Sequence, residues 1–170
     1  MIIEGEHVRL RPASIDDLPG YTRWYTDPEF RHYMGNGSDT FSSLQSPQAD
    51  QVNFSVETKD GRLIGMMFVI NIRTNNRNCE LGAVAIGERE YQDKGYGSEM
   101  VELVLGFCFS EIGMHQVHVR TVEFNERARH CYAKNFPNIQ VHREHQWEDG
   151  RFWDEIYFDV TEEEWAARSG

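Results

Sequence analysis

The most constraining stretch of this chain is an apolar run that leads through a glycine-bearing turn into a striped helix. Leu81-Gly82-Ala83-Val84-Ala85-Ile86 reads as a buried strand. Tyr91-Gln92-Asp93-Lys94-Gly95-Tyr96-Gly97-Ser98 turns the chain, and Glu99 to Ile112 repeats apolar residues at helical spacing. The first N–H groups of a helix have no intrahelical acceptor, and the helix dipole adds partial positive charge there. Gly95 and Gly97 lack Cβ, so a ligand can come close to the backbone. A phosphate or pyrophosphate suits such a turn. The spacing is neither the dinucleotide fingerprint nor the P-loop. On the residues alone, an anion cradle and a plain turn remain two open readings.

The rest of the chain arranges itself around this unit. His7 to Arg11 alternates as a strand with Val8 and Leu10 inward. Ser14-Ile15-Asp16-Asp17 is a capping-box start for a helix to about Tyr25, with Pro19 and Gly20 near its beginning. Asp27-Pro28 opens another short helix carrying Phe30, Tyr33 and Met34. Gly35 to Ser43 has no period and is expected to be a long mobile loop, either a lid or a plain connection. Pro47 to Gln51 is expected to end a further short helix.

From Val52 a meander is expected. Val52, Phe54 and Val56 alternate, Asp60-Gly61 turns, and Leu63 to Ile72 places Ile64, Met66, Phe68, Ile70 and Ile72 on one face. Asn75 to Asn78 turns again into the central strand Cys79 to Ile86. After the helix, stopped by Gly113, come a strand from His115 to Phe124 and a helix from Asn125 to Lys134 capped by Asn125. Pro137 ends that helix. The strands Val141 to Trp147 and Phe152 to Val160 flank Glu148-Asp149-Gly150-Arg151, and Thr161 starts a short terminal helix. No repeat or boundary interrupts the order, so residues 1–170 are expected to form a single α/β domain with one mixed sheet.

Composition narrows the function classes. With 39% hydrophobic and 26% charged residues in 170, a proper core is expected. A net charge of −11 argues against a nucleic-acid surface and is compatible with a cationic substrate or simply with solubility. Cys79, Cys108 and Cys131 form no pairing pattern, which points to a reduced, cytoplasmic protein. The acidic start is not expected to be a signal peptide, and no apolar run reaches membrane-spanning length. His115, His118, His142 and His145 lack metal spacing; His142 and His145, three apart on a strand, are expected on opposite faces, and no metal is expected.

Three features together resemble the GNAT N-acetyltransferase superfamily. Gln92-x-x-Gly95-x-Gly97 lies between a strand and a helix, like the family's acyl-CoA pyrophosphate loop. Asn125-x-x-Ala128-x-x-x-Tyr132 resembles its second CoA-side segment. Val8-Arg9-Leu10-Arg11-Pro12 and the ending from Asp149-Gly150-Arg151-Phe152-x-Asp154 to Glu164-Trp165 look like the RimJ/RimL branch, which includes ribosomal-protein N-terminal and spermidine acetyltransferases. The family pattern continues Tyr-x-Lys-x-Gly-Phe, whereas Tyr132-Ala133-Lys134-Asn135-Phe136 is one residue shorter; Asn135 is expected to take the left-handed place of the glycine. The central strand is one residue long by the same comparison, which leaves the register of Glu80 open.

The resemblance implies a GNAT-like acyl-CoA N-acyltransferase fold, with about seven strands and about four helices. It implies acetyl transfer from acetyl-CoA to an amine by direct attack in a ternary complex. Backbone N–H groups of Gln92, Asp93, Lys94, Gly95, Tyr96, Gly97 and Ser98 would hold the pyrophosphate. A backbone N–H among Val84, Ala85 and Ile86 would polarise the thioester carbonyl in a gap between the middle strands. Asn125 and Ala128 would meet the pantetheine arm. Tyr132 is the implied general acid, and Glu80 is the candidate base, with a water relay to a distant carboxylate as the alternative. The acceptor site is expected at the first helices and the last hairpin. Its candidate linings are Trp24, Tyr25, Glu29, Phe30, Tyr33, Trp153 and Glu155, aromatics and carboxylates that suit a cationic amine; about half are expected to be packing residues instead. The acceptor is expected to be a small amine or polyamine. The alternatives are a protein N-terminus and a non-catalytic acyl-CoA-binding module. A homodimer is the family-based expectation.

Overall fold

The computed structural model describes residues 1–168. Its strands are β1 (Ile3–Glu4), β2 (Val8–Pro12), β3 (Val52–Thr58), β4 (Leu63–Arg73), β5 (Asn78–Ile86), β6 (Gln116–Val122), β7 (Asn138–Glu148) and β8 (Arg151–Thr161). Its helices are α1 (Leu18–Tyr25), α2 (Pro28–Met34), α3 (Ser38–Gln45), α4 (Tyr96–Gly106), α5 (Glu126–Ala133) and α6 (Glu162–Arg168). The strands form one sheet in the order β1-β2-β3-β4-β5-β6-β8-β7. Every pair is antiparallel except β5–β6. A parallel pair needs a crossover, and α4 supplies it. The mixed sheet expected from sequence is present, with one strand and two helices beyond the expected numbers.

Helices cover both faces. On one face Val101, Val104 and Leu105 of α4 and Tyr132 of α5 pack with Leu10, Val56, Leu81, Val119 and Phe158. On the other face Tyr21, Trp24 and Tyr25 of α1 and Leu44 of α3 pack with Met66, Phe68 and Ala83. The central strand β5 therefore contributes to both cores, as its continuous apolar run requires.

Two bulges decide which residues face which core. Between β3 and β4 the register passes from Val56↔Gly65 to Glu57↔Leu63, leaving Ile64 without a partner. Ile64 thus joins the α4 core while Met66 joins the α1 core, against the expectation of one shared face. Between β4 and β5 the register passes from Phe68↔Ala83 to Val69↔Leu81, so Gly82 is the extra residue. That bulge absorbs the surplus residue noted in the central strand.

Only Gly35–Gly37 of the expected loop Gly35–Ser43 is a turn; from Ser38 the chain is helical. Asn36 Oδ1 accepts the backbone N–H of Ser38 at 2.9 Å, and α3 runs to Gln45 with Thr40, Ser43 and Leu44 buried. Polar residues hide the apolar stripe, because the buried face of this helix carries hydroxyls. Pro47–Gln51, by contrast, is not helical. Pro19 falls in the first turn of α1, where its missing N–H costs nothing.

An ion-pair network pins the start of α1 to the sheet. Arg11 donates from Nη1 and Nη2 to Asp17 at 2.9 and 2.6 Å and from Nε to Glu57 at 2.9 Å. Ser55 donates to Asp17 at 2.7 Å, and the Tyr21 hydroxyl lies 2.7 Å from Ser55. Burial opposes the Asp17 charge, but these hydrogen bonds outweigh it and hold its carboxyl below the ordinary range. The capping box of Ser14 and Asp17 forms around a short 3-10 turn just ahead of α1.

Candidate active site

The donor side is built where β5 ends. After Ile86 the chain makes a 3-10 turn, Arg89–Tyr91, and reaches the loop before α4. Gly95 occupies the N-cap in the left-handed region (φ 84°), and Asp93 is left-handed too (φ 58°). No side chain caps α4, so its first-turn N–H groups face outward unpaired by a cap. A Cβ at Gly95 would meet nothing within 4 Å, and one at Gly97 only Cys131 Sγ at 3.9 Å. The crowding limit is thus not internal; the open space lies where a ligand would sit. Gln92 braces the loop: its Nε2 donates to the Ile86 carbonyl at 2.9 Å, and its Oε1 accepts from Arg127 at 3.0 Å.

A cavity of about 400 Å³ opens here, walled by Val84–Ile86, Gln92, Asp93, Gly95, Gly97 and Ser98 on one side and Asn125, Ala128 and Tyr132 on the other. Lys134 adds positive charge to its lining, as do Arg89, paired with Asp27 and Glu29, and Arg127, paired with Asp93, all of them in the same wall. An uncapped helix start, an open glycine backbone and basic side chains are the donor set that a pyrophosphate requires. Lys94 and the Tyr96 side chain do not line the cavity; Tyr96 stacks on Tyr91 and His7 at 5.8 and 5.7 Å. Only their backbone N–H groups remain available to the loop's expected role.

The gap between the middle strands is present. β5 pairs with β6 from Asn78↔Gln116 to Leu81↔Val119 and no further, although both strands continue. Beyond Val119, β6 pairs only with β8, as far as Val122↔Glu155. A second cavity of about 570 Å³ lies on the α1–α3 face of this gap. The two cavities share Tyr33, Met34, Val84, Asn125, Ala128 and Tyr132, so they meet through the sheet.

Tyr132 stands at that junction. Its ring is 5% exposed and packs edgewise on Phe136 and Phe158 at 6.0 and 5.7 Å. Burial raises the pKa of its phenol, so the proton is retained across the neutral range. Asn125 Oδ1 accepts the Ala128 N–H at 3.2 Å, which caps α5. Asn135 is not left-handed, contrary to expectation. The backbone N–H groups of Asn135 and Phe136 both donate to the Tyr132 carbonyl, at 3.0 and 2.9 Å, and close the helix without a glycine.

Glu80 lies on the acceptor side, 6% exposed, and lines the second cavity. The Gly82 bulge fixes that register: Glu80 points opposite Leu81, away from the α4 core. Asp39 and Glu155 line the same cavity, as do Thr40, Ser42 and Ser43 of α3. Tyr33 lines both cavities, whereas Glu29 and Phe30 line the donor one.

Three expected acceptor contacts are packing residues. Trp24 and Tyr25 are 4% and 5% exposed and line neither cavity. Trp24 donates from Nε1 to Glu88 at 3.1 Å, and its ring covers Gly87 so closely that a Cβ there would collide with it. Tyr25 is wedged between Phe30 and Phe41 at 4.9 and 5.2 Å. Trp153 is half-buried, with Phe124 at its edge and Arg151 over its face at 3.7 Å, and it too lines neither cavity. The fold needs these rings to hold α1 and the hairpin, which sequence cannot distinguish from ligand contact.

Sequence reading missed Arg120, Arg127 and Asp39. Arg120 had a signal, because it alternates with His118 on the face opposite Val117 and Val119. Asp39 was hidden with α3. The histidines also depart from expectation. A register shift between His142 and Gln146 brings the rings of His142 and His145 to 5.5 Å instead of to opposite faces. Elsewhere, the ligand atoms of His32, Glu148 and Asp149 lie within 4.8 Å of one another at the surface.

A family model described as the acetyltransferase (GNAT) domain matches residues 7–135. The chain is 25% identical over 124 residues to the SPbeta prophage-derived uncharacterized N-acetyltransferase YokL of Bacillus subtilis, covering 72% of this chain and 69% of that one. It is 26% identical over 81 residues to the spermidine N(1)-acetyltransferase of Vibrio cholerae, covering 48% of this chain and 46% of that one. The crystal structure of the Vibrio cholerae spermidine N-acetyltransferase with CoA and spermine matches the fold with a TM-score of 0.79 at 18% identity, over 94% of this chain and 98% of that one. Among the described residues no helix is long and apolar enough to cross a membrane. With the pyrophosphate-type loop, the strand gap and the family match in agreement, the chain belongs to the GNAT acetyltransferase family and is an acetyl-CoA-dependent N-acetyltransferase.

Proposed function

We propose that the protein acetylates a primary amine by direct attack within a ternary complex, and that the acceptor is a small amine or polyamine. The observation that carries this reading is the meeting of two cavities at Tyr132, one holding the uncapped start of α4 and the other Asp39, Glu80 and Glu155. The Vibrio cholerae relative named a spermidine acetyltransferase supports the same acceptor class.

Acetyl-CoA supplies an activated thioester when bound. The α4 start, with Gln92 to Ser98, holds its pyrophosphate; Arg127 and Lys134 neutralise charge. The stretch of β5 from Val84 to Ile86, paired to β4 but not to β6, offers a backbone N–H on its β6 side to the carbonyl oxygen, where charge develops. An alkylammonium with a pKa of about 10.4 must lose a proton before its lone pair can attack. Glu80 takes that proton, directly or through one water. Tyr132 returns one to the departing thiolate, and its raised pKa keeps it protonated for that role. Asp39 and Glu155 attract the cation. Residues 1–170 act as one domain in this reading.

The test is release of free thiol from acetyl-CoA across a panel of diamines, polyamines, hydroxylated amines and short peptides. Selective turnover of small cationic amines is expected. Turnover of peptide N-termini alone would replace the acceptor class. CoA binding with no release for any acceptor would overturn the catalytic reading.

A further inference from the structure

Glu80 and Glu155 are both buried, at 6% and 3% exposure, and both line the acceptor cavity. They stand on β5 and β8, with β6 between them. The pairs Glu80↔His118 and Val122↔Glu155 put both carboxylates on the face that carries Arg120. The Arg120 Nε lies 2.9 Å from Glu80 Oε1, and its Nη1 lies 3.4 Å from Glu155 Oε1. Each second oxygen meets a neutral amide: Asn71 Nδ2 donates to Glu80 at 3.1 Å, and Gln146 Nε2 donates to Glu155 at 3.2 Å. The arrangement is a row of amide, carboxylate, guanidinium, carboxylate, amide.

We propose that Arg120 is a positioning residue of the acceptor site, holding Glu80 and Glu155 as a fixed carboxylate pair that receives the acceptor's ammonium. The proposal rests on the acetyltransferase reading of that cavity. The guanidinium is half exposed, yet it turns Nε to Glu80 and Nη1 to Glu155, so it is a buttress for the pair and not a hook for an anionic acceptor. Arg120 therefore leaves a net negative receptor while keeping two like charges compatible at close quarters.

No neighbouring group replaces it. From β6, His118 lies 3.8 Å from Glu80, but burial outweighs the pull of Glu80 and lowers its pKa, so it is neutral near pH 7. From β7, His145 lies 3.9 Å from Glu155 and is half exposed. Asp39 of α3 adds negative charge to the same cavity, and Asp159 and Arg73 act on His118 in opposite senses. Without Arg120 two buried carboxylates share one cavity, and one of them keeps a proton to higher pH. In the transfer step a proton passes from the ammonium nitrogen to the Glu80 carboxylate, and the freed lone pair attacks. A Glu80 already protonated cannot take it.

The experiment compares wild type with Arg120→Met, Arg120→Lys and the double variant Arg120→Met/Glu155→Gln. The readouts are the pH profile of kcat/KM for the amine, KM for acetyl-CoA, and carbon-13 titration of labelled glutamate carboxylates in the full chain without substrates. In Arg120→Met the acid limb is expected to move up by about one to three pH units. KM for acetyl-CoA is expected to stay within about twofold, because the donor cavity is untouched. Arg120→Lys restores most of the limb, and removing the second charge in the double variant does likewise. Coincident limbs and coincident carboxylate titrations in wild type and Arg120→Met would overturn the proposal. If Arg120→Met does not fold, Arg120→Gln takes its place: a carboxylate titration moved up supports the proposal, and one coincident with wild type overturns it. Absence of thiol release from wild type would sink the acetyltransferase reading instead, while the titration still decides what Arg120 does.

Discussion

Replacing Tyr132 with Phe separates the phenolic hydroxyl from the ring that carries it. The ring is buried against Phe136 and Phe158 and contributes to the α4-side core. Phe keeps those contacts. Among the described residues the hydroxyl has no hydrogen-bond partner, so no bond of typical net worth of about 1 kcal/mol is lost with it. The variant should therefore melt close to wild type, within about 0.5 kcal/mol. Proton donation by a placed acid contributes about 10²–10⁴ in rate. At about 1.36 kcal/mol per decade, that is roughly 2.7–5.4 kcal/mol of barrier. The expected result is a kcat lower by about two decades or more, with KM for acetyl-CoA nearly unchanged, in a thiol-release assay. Because burial raises the phenol's pKa, wild-type kcat should show no alkaline limb from Tyr132 below about pH 10. Turnover within about threefold of wild type, in a variant with normal thermal stability, would refute the assignment.

Four further outcomes are expected. Asp17→Asn takes the charge from a carboxylate that accepts from Arg11 and Ser55, while Glu57 still pairs with Arg11, and should cost about 1–3 kcal/mol in denaturant unfolding. Asp17 has a lowered pKa, so its contribution is complete above the unfolded value of about 3.9 and is lost as pH falls through the folded value; below about pH 4 the wild-type advantage should shrink. Gly97→Val meets only Cys131 Sγ at 3.9 Å at the level of Cβ, so the fold should tolerate it while KM for acetyl-CoA rises about tenfold or more; unchanged KM would remove the loop from the donor site. Asn125→Ala loses the α5 cap and should destabilise by about 1 kcal/mol in thermal melts, with a smaller loss than Tyr132→Phe in kcat.

Local chemistry was legible in the chain. The glycine-bearing turn ahead of α4, the cap at Asn125 and the capping box at Ser14–Asp17 each depend on residues a few positions apart, and each forms where its spacing places it. The strand order around the central run was legible for the same reason, since alternation and turn residues are local signals. What failed were the positions whose role depends on a distant partner. Trp24 and Trp153 have the composition of ligand contacts, yet one covers Gly87 and the other meets Phe124. Helix α3 escaped because its inward face includes Thr40 and Ser43, which carry no apolar period.

The deeper reason lies in how the site is made. Its key features are departures from a regular ladder. The Gly82 bulge turns Glu80 to the acceptor side, and the missing pairs beyond Leu81↔Val119 open the passage between the cavities. A regular sheet would seal that passage with hydrogen bonds and pack its faces apart. Strand β8 makes the opening stable: it pairs β6 through Val122↔Glu155, so β6 leaves β5 without becoming an unpaired edge. The same pairing carries Glu155 to the face where Arg120 and Glu80 stand. One topological choice, inserting β8 between β6 and β7, thus supports the open gap and furnishes its acceptor side with charge. No single segment encodes that choice, so it becomes visible only when the whole sheet is assembled.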